Sequence, residues 1–302
     1  MIIAIPKEVE ASERRVGVVP DMIGKMVKGG FEVRVESGAG DKAYFADSAY
    51  EKAGATLVKD GASLFSAADI ILKIQRPIMR PEGVHEVDMM RSGAVLVSLM
   101  HPLTYPDIVR KLAAKGITTF SVSLVPRITR AQNIDILSSM SSLAGYKAVL
   151  LAASTHPRLI PMMTTSAGTY PPAKVLILGA GVAGLQAIAT AKRMGASVSA
   201  FDTRPAVKEQ VQSLGATFIE VDLAGEEAAD TGGYAKELSA DFYKRQGELI
   251  AQHAKQSDIV ITTALIPGKD APLLLPKQVV AEMKPGAVIV DMAVEQGGNC
   301  AF

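Results

Sequence analysis

Cysteine, net charge and long apolar runs are all scarce in this sequence. A single cysteine, Cys300, rules out a disulfide framework within the chain and speaks against a cysteine-ligated metal site. Among the 302 residues, 32 lysines and arginines face 31 aspartates and glutamates, a formal charge of +1. No basic block and no basic-aromatic interleaving appears, which speaks against a nucleic-acid surface. The most continuous apolar stretch, VLILGAGVAGLQAIATA at Val175–Ala191, falls short of the roughly 20 residues that cross a bilayer. Its glycines suit a strand, a turn and a helix better than one unbroken helix. The opening MIIAIPKEVE reaches charge by its seventh residue and lacks a signal-peptide pattern. No metal cluster, nucleophile elbow or catalytic triad is legible.

What the chain does have is 48% hydrophobic and 21% charged residues, the balance of a soluble globular protein long enough for about two domains. Short β-branched runs at Ile2–Ile5, Glu32–Val35, Ile70–Ile74, Val95–Ser98 and Ile117–Phe120 alternate with helical patterns at Asp21–Lys28, Ser48–Ala53, Asp60–Ser66 and Tyr105–Ala114. Alternation of this kind predicts an α/β fold, with a mostly parallel sheet covered by helices. A second series follows, with strands at Lys174–Leu178, Ser197–Phe201, Thr217–Glu220, Ile259–Thr263 and Ala287–Val290. Between the two series, TTSAGTYPPAK reads as turn or hairpin material. Leu223–Gln246 is polar and interrupted at Gly232–Gly233; it reads equally as an exposed loop with a surface helix or as a flap over a ligand.

The stretch PRITRAQNIDILSS, starting at position 126, is unusually polar for its surroundings. Thr129 and Gln132 make a T-x-x-Q capping box, which predicts a helix from about Arg130 to about Ala153. Gln132, Asp135, Ser139, Ser142 and Tyr146 then fall on one stripe of that helix. The bland alternative is that Gln132 only sets the helix start.

The most specific motif is G-A-G-V-A-G, formed around Gly179, Gly181 and Gly184 between an apolar strand and a helical pattern. Asp202 ends the next strand, eighteen residues after Gly184. The spacing predicts a dinucleotide site, in which Gly179 makes the tight turn, Gly181 admits the pyrophosphate and Gly184 lets helix and strand pack closely. The helix N-terminus would receive the phosphates, and Asp202 the adenosine ribose. A carboxylate there disfavours a 2′-phosphate and so favours NAD over NADP, a preference that Arg204 softens. The alternative is a glycine turn with no nucleotide. Elsewhere Arg14, Arg15, Lys73, Gln75, Arg76 and His101 are candidates, with Lys73 placed by ADIILKIQRP at the carboxyl edge of the first sheet. A histidine at a strand end such as His101 is more often structural than catalytic.

Together AIPKEV…ERRVGVVP, LKIQRP, RITRAQNIDILSS, LAGYKAV, VLILGAGVAGLQAIATAKRMGA, TTALIPGKDAP and VDMAVEQGGN resemble, over essentially the whole chain, the superfamily of alanine dehydrogenase and the NAD(H)-binding domain of proton-translocating nicotinamide nucleotide transhydrogenase. The resemblance implies two Rossmann-like doubly wound domains around a cleft. They would be residues 1–130 and 145–302, linked by a long helix that starts within 130–145. In the transhydrogenase branch the nicotinamide is clamped by residues matching Arg127, Gln132, Asp135 and Ser138, with Ile128 and Thr129 beside them. A mobile flap matches Gly232–Glu237, including Gly233 and Tyr234. The remaining NAD(H) contacts would be Gly179, Gly181, Val182, Ala183, Gly184, Asp202, Thr203, Arg204, Gln246, Ala264 and Leu265.

That branch exchanges a hydride between NADH and NADP held on a partner chain or domain, coupled to proton movement through a membrane partner and distinct from the Si-specific type. It implies a homodimer with contacts near Met162–Pro172, peripheral on the cytoplasmic side of the cell membrane. Alanine dehydrogenase is the alternative, with Arg15, Lys73 and His101 at comparable positions of its substrate site. Against it, VDMAVEQGG carries Glu295 where the dehydrogenases have aspartate. The family also continues past GGN with a segment that completes the first domain, whereas this sequence stops at Phe302.

Overall fold

A computed structural model describes residues 1–126, 128–221, 239–266 and 269–302. The chain divides into two compact units, Met1–Ile136 and Leu137–Phe302. In the first, β1 (Ile2–Ile5), β2 (Glu32–Glu36), β3 (Thr56–Val58), β4 (Ile70–Gln75), β5 (Val95–Leu99) and β6 (Thr118–Ser121) pair in parallel in the order β3-β2-β1-β4-β5-β6. The connecting helices are α1 (Pro20–Lys28), α2 (Asp47–Lys52), α3 (Gly61–Ala67), α4 (Glu86–Met89) and α5 (Pro106–Ala114). Successive residues of β1 serve opposite faces. Ala4 packs with Phe65, Ile71 and Leu96, while Ile5 packs with Ile23, Val33 and Tyr50. A parallel strand buried on both faces needs apolar residues throughout, which is why these runs do not alternate with polar ones. Proline at the first positions of α1 and α5 starts those helices with φ already set. The Asp60 carboxylate caps α3 by accepting from the N–H groups of Ala62 and Ser63.

The second unit opens with most of α6 (Ile136–Thr155) and an exposed antiparallel hairpin, β7 (Met163–Thr165) and β8 (Gly168–Tyr170), where turn or hairpin material was expected. Then β9 (Lys174–Leu178), α7 (Val182–Arg193), β10 (Ser197–Phe201), α8 (Lys208–Ser213), β11 (Thr217–Ile219), α9 (Ala240–Gln256), β12 (Ile259–Thr262), α10 (Lys277–Ala281) and β13 (Val288–Asp291) build a parallel sheet ordered β11-β10-β9-β12-β13. Along β9, Ile177 joins the core beneath α6 and α7, and Leu176 and Leu178 join the core beneath α9. Each of these buried side chains contributes about 1.5–3 kcal/mol relative to exposure. The apolar run from Val175 is therefore a strand, a turn and a helix, as its glycines suggest. By length and composition α6 is itself apolar enough to cross a membrane, with mean hydropathy 1.3. Its Ala148, Val149 and Ala152 pack into the core of the second unit.

One expectation fails. No continuous helix starts at Arg130. Thr129–Ile134 form a 3-10 turn whose N-cap is Ile128, with no side-chain cap bond, and α6 begins only at Ile136. Asp135 separates the two with φ −80° and ψ 84°, outside the helical basin. Thr129 is thus inside the 3-10 turn and not at its N-cap, and Gln132 does not share a helical stripe with Ser139, Ser142 and Tyr146.

Candidate functional site

In the second unit, strand order reverses between β9 and β12, the crevice where open α/β sheets take ligands. The glycine loop leaves β9 at this point. Gly179 has φ +101°, and a Cβ there would approach the Thr263 hydroxyl to 2.6 Å. Its N–H donates to Phe201 O at 2.8 Å, and the Thr263 hydroxyl donates to its carbonyl at 3.0 Å. A Cβ on Gly184 would sit well inside contact distance of the Gly179 carbonyl, so only glycine lets α7 lie this close to the turn. Gly181 is different: a Cβ there meets nothing within 4 Å. It leaves an open cradle in front of the first turn of α7, where the N–H groups of Val182, Ala183 and Gly184 have no intrahelical acceptor.

Beside the loop, at the ends of β10 and β11, lies a cavity of about 430 Å³. Phe201, Phe218, Val221 and Phe242 give it apolar walls, and Asp202 and Thr203 lie on its rim. The Asp202 carboxylate is nearly buried and accepts from the Ala180 N–H at 2.8 Å. It also accepts from Arg204 three times: from N–H and Nε at 2.9 Å and from Nη2 at 2.8 Å. The hydrogen bonds from Arg204 to Asp202 raise the guanidinium pKa above its ordinary value. One turn beyond Phe242 on α9, Gln246 is buried, with an Oε1 that has no hydrogen-bond partner among the described residues. Such an orphan acceptor is unfavourable unless a donor reaches it.

On the far side of the loop, Ala264 is tied down by Asn299, which is fully buried. The Asn299 amide accepts from Ala264 N–H at 3.0 Å and donates to Ala264 O and Pro272 O at 2.9 and 2.8 Å. Asp291 in turn accepts from the backbone N–H of Ala293, Asn299 and Cys300. The VDMAVEQGGN motif is thus a backbone clasp, with Gly297 and Gly298 at φ +93° and +82° closing its turn and Glu295 exposed. Backbone donors at a helix N-terminus, a carboxylate at the end of the next strand, an apolar cavity and an orphan amide oxygen form a donor set that fits a dinucleotide.

The first unit reverses its strand order between β1 and β4, and charges fill that place. Lys73 has no exposed side-chain surface; its Nζ pairs with Glu86 at 2.7 Å and Glu8 at 3.5 Å. Arg80 bonds Glu36 and lies 3.6 Å from Glu86. Burial pushes the Glu8 carboxyl above its ordinary value, against the pull of Lys73. Glu13 is gripped by Arg15 through Nε at 2.8 Å and Nη2 at 2.6 Å, and by Gln75 at 2.8 Å. Burial would raise its pKa, but these bonds prevail and hold it at about 2.

Residues 4–144 match the family description "Alanine dehydrogenase/PNT, N-terminal domain", and residues 148–302 match "Alanine dehydrogenase/PNT, C-terminal domain". The chain belongs to the alanine dehydrogenase/PNT family. It is 52% identical to an NAD(P) transhydrogenase subunit alpha polypeptide of Rhodospirillum rubrum, covering 99% of this chain and 78% of that protein. It is 47% identical to NAD(P) transhydrogenase subunit alpha of Haemophilus influenzae over its whole length, yet spans only 57% of that longer protein. A crystal structure of transhydrogenase from Sinorhizobium meliloti superposes with a TM-score of 0.85 at 46% identity, covering 100% of this chain and 81% of that one. Alanine dehydrogenases are more distant, at 31% identity for that of Bacillus subtilis, covering 99% of this chain and 72% of it.

Within this family frame, the structure brings Gly179, Gly181, Val182, Ala183, Gly184, Asp202, Thr203, Arg204, Ala264 and Leu265 to the carboxyl edge of the second sheet. Gln246 is buried on α9, one turn beyond Phe242. Gln132 is exposed on the 3-10 turn, Asp135 is buried at the break and Ser138 is half-buried at the start of α6. Arg127 and the flap residues Gly232–Glu237, with Gly233 and Tyr234, lie outside the described residues. Lys73 lies near the carboxyl end of β4, as expected, but its side chain is buried and paired with Glu86 and Glu8. Arg76 stacks on Tyr105 at 3.9 Å, and exposed His101 has φ +45°. Sequence reading missed Asn299 and Gly145; a Cβ on Gly145 would collide with the Ala183 carbonyl, so α6 packs directly on the backbone of the glycine loop's helix. Asn299 ends a motif whose spacing carries no nucleotide chemistry of its own, so only the resemblance pointed to it.

Proposed function

We propose that this chain is the NAD(H)-binding component of a proton-translocating transhydrogenase. In this reading it exchanges a hydride between NAD(H) and NADP(H) held on a partner chain or domain. A membrane-spanning partner couples the exchange to proton movement. The open cradle at Gly181, in front of the α7 N-terminus and across from Asp202, carries the reading. The first-turn N–H groups of α7 receive the pyrophosphate, because unpaired donors and the helix dipole both favour an anion there. Phe201, Phe218, Val221 and Phe242 enclose the adenine, with the orphan Gln246 oxygen as an acceptor for its amino group. Arg127, Gln132, Asp135 and Ser138, with Ile128 and Thr129, hold the nicotinamide end, and Ala264 and Leu265, under the Asn299 clasp, also contact the dinucleotide. Gly233 and Tyr234 close over the bound nucleotide. Bound NADH supplies the hydride; the protein supplies orientation, because transfer requires reacting atoms about 3–3.5 Å apart.

The same reading makes the chain a homodimer through its exposed hairpin, and peripheral on the cytoplasmic side of the cell membrane. The buried Lys73–Glu86 pair does not favour an amino-acid substrate site in the first unit. The test mixes the protein with a transhydrogenase NADP-binding domain and follows hydride exchange between NADPH and an NAD analogue. Exchange, with no pyruvate- and ammonia-dependent oxidation of NADH, is expected. Alanine-forming turnover without exchange overturns the proposal. Gln132→Asn shortens one reach by a methylene; it should spare most NAD(H) affinity and slow exchange on the order of a hundredfold.

A further inference from the structure

The backbone that Gly145 meets is half of a rigid unit. A Cβ at position 145 would fall well inside contact distance of the Ala183 oxygen, 2.9 Å from its carbonyl carbon and 3.1 Å from its Cα. That oxygen shares one planar peptide with the Gly184 N–H, a first-turn donor of α7 with no intrahelical acceptor. Whatever tilts the carbonyl tilts the N–H with it. The same peptide is held from its other end, because a Cβ on Gly184 would collide with the Gly179 carbonyl. The two helices are themselves seated. Ala148, Val149 and Ala152 of α6 share a buried core with Ala187, Ile188 and Ala191 of α7, and the Ser142 hydroxyl donates to Gln186 Oε1 at 3.4 Å. A side chain at position 145 would therefore turn the peptide between them.

We infer that Gly145 is a positioning residue for the phosphates of the dinucleotide, acting by aiming the Gly184 N–H. The inference rests on the nucleotide reading above. A hydrogen bond weakens steeply as its angle closes, so a donor fixed in direction before the anion arrives is worth more than one that must turn to it. The N–H groups of Val182 and Ala183 belong to the two preceding peptides, neither of which carries the carbonyl that Gly145 meets. The G-A-G-V-A-G spacing thus does not hold every glycine that the anion requires. A fourth comes from another helix, 34 residues before Gly179.

The experiment compares ligands with and without phosphate on the full chain. NADH is followed by the fluorescence of its nicotinamide, and ADP and adenosine by their displacement of NADH. Gly145→Ala should lower affinity for NADH and ADP about 10- to 100-fold, the worth of one charge-assisted hydrogen bond, and leave adenosine within about twofold. Ala152→Gly, which opens a gap at a buried position two turns along the same helix, is the control. Thermal melting should fall in both variants, whereas the phosphate-dependent loss should appear in Gly145→Ala alone. In wild-type protein labelled at glycine, the Gly184 amide resonance should move with ADP and stay in place with adenosine, a readout that does not need either variant to fold. Undiminished ADP affinity in Gly145→Ala, equal losses for ADP and adenosine, the same loss in Ala152→Gly, or an unmoved Gly184 amide overturns the inference, while wild-type NADH binding leaves the nucleotide reading standing. A wild-type protein that binds no NADH overturns both.

Discussion

Two sheets in this chain reverse their strand order in the same way, β3-β2-β1-β4 in the first unit and β11-β10-β9-β12 in the second, yet the two crevices are filled oppositely. In the second, the chain leaving the central strand is glycine and backbone, and the donors face outward. In the first, the chain leaving β1 brings Glu8 and Glu13, which pair or hydrogen-bond with Lys73, Gln75 and Arg15, and α4 adds a buried Glu86 whose Oε1 has no hydrogen-bond partner among the described residues. Topology supplies a crevice in both places. Whether it can receive a ligand depends on whether hydrogen-bonding groups are left open towards the crevice.

The sharpest way to break this contrast is to unbalance the first crevice. Lys73→Met leaves Glu86 and Glu8 buried without their cation and should cost about 3–5 kcal/mol. Urea unfolding measures it; a loss under about 1 kcal/mol would mean the cluster is hydrated and the crevice open. The clasp of the second unit comes next. Asn299→Ala strands the Ala264 and Pro272 backbone groups and should cost about 1–3 kcal/mol, with faster amide exchange at Ala264. The glycines then separate packing from binding. Gly184→Ala forces α7 off the Gly179 carbonyl and should lose about 1–3 kcal/mol, whereas Gly181→Ala should stay within about 0.5 kcal/mol and weaken NAD(H) binding. If both variants lose equal stability, the open side of the loop is not what the cradle requires.

The smallest effect is on pH dependence. The folded pKa of Glu13 lies near 2, below its ordinary 4.5, so its stabilisation is full above about pH 4.5 and is lost as pH falls towards 2. Glu8 has the opposite sign: its raised folded pKa gives stability at low pH that is lost as pH rises through that value. Glu13→Gln should flatten the acid side of a stability-against-pH curve, and Glu8→Gln should raise stability at neutral pH. Parallel curves for the two variants would show that the carboxylates do not titrate separately.

The strands and the glycine fingerprint were legible because each is a local pattern: apolar runs of the right length, and glycines where φ or space demands them. The burial of Lys73 was not legible because it depends on Glu8 and Glu86, 65 and 13 residues away, and a charged residue at a strand end ordinarily marks a surface. The break at Asp135 was hidden because T-x-x-Q is a local signal that the non-helical torsion at position 135 overrode. The short β3 and α4, three and four residues long, carry too little pattern to stand out. Of the site, the residue types at the edge of the second sheet were legible; the saturation of Asp202 was not, since it depends on side-chain direction.

Gly145 has a mechanical consequence. A contact between a glycine and a backbone carbonyl has no rotamer into which it can relax, so a small axial displacement of the first turn of α7 is handed to α6 instead of being absorbed. The N-terminal end of α6 is joined directly to Asp135 and the 3-10 turn at Thr129–Ile134. The first turn of α7 and α6 are therefore stiffly linked, and the stiffness comes from a residue with no side chain at all.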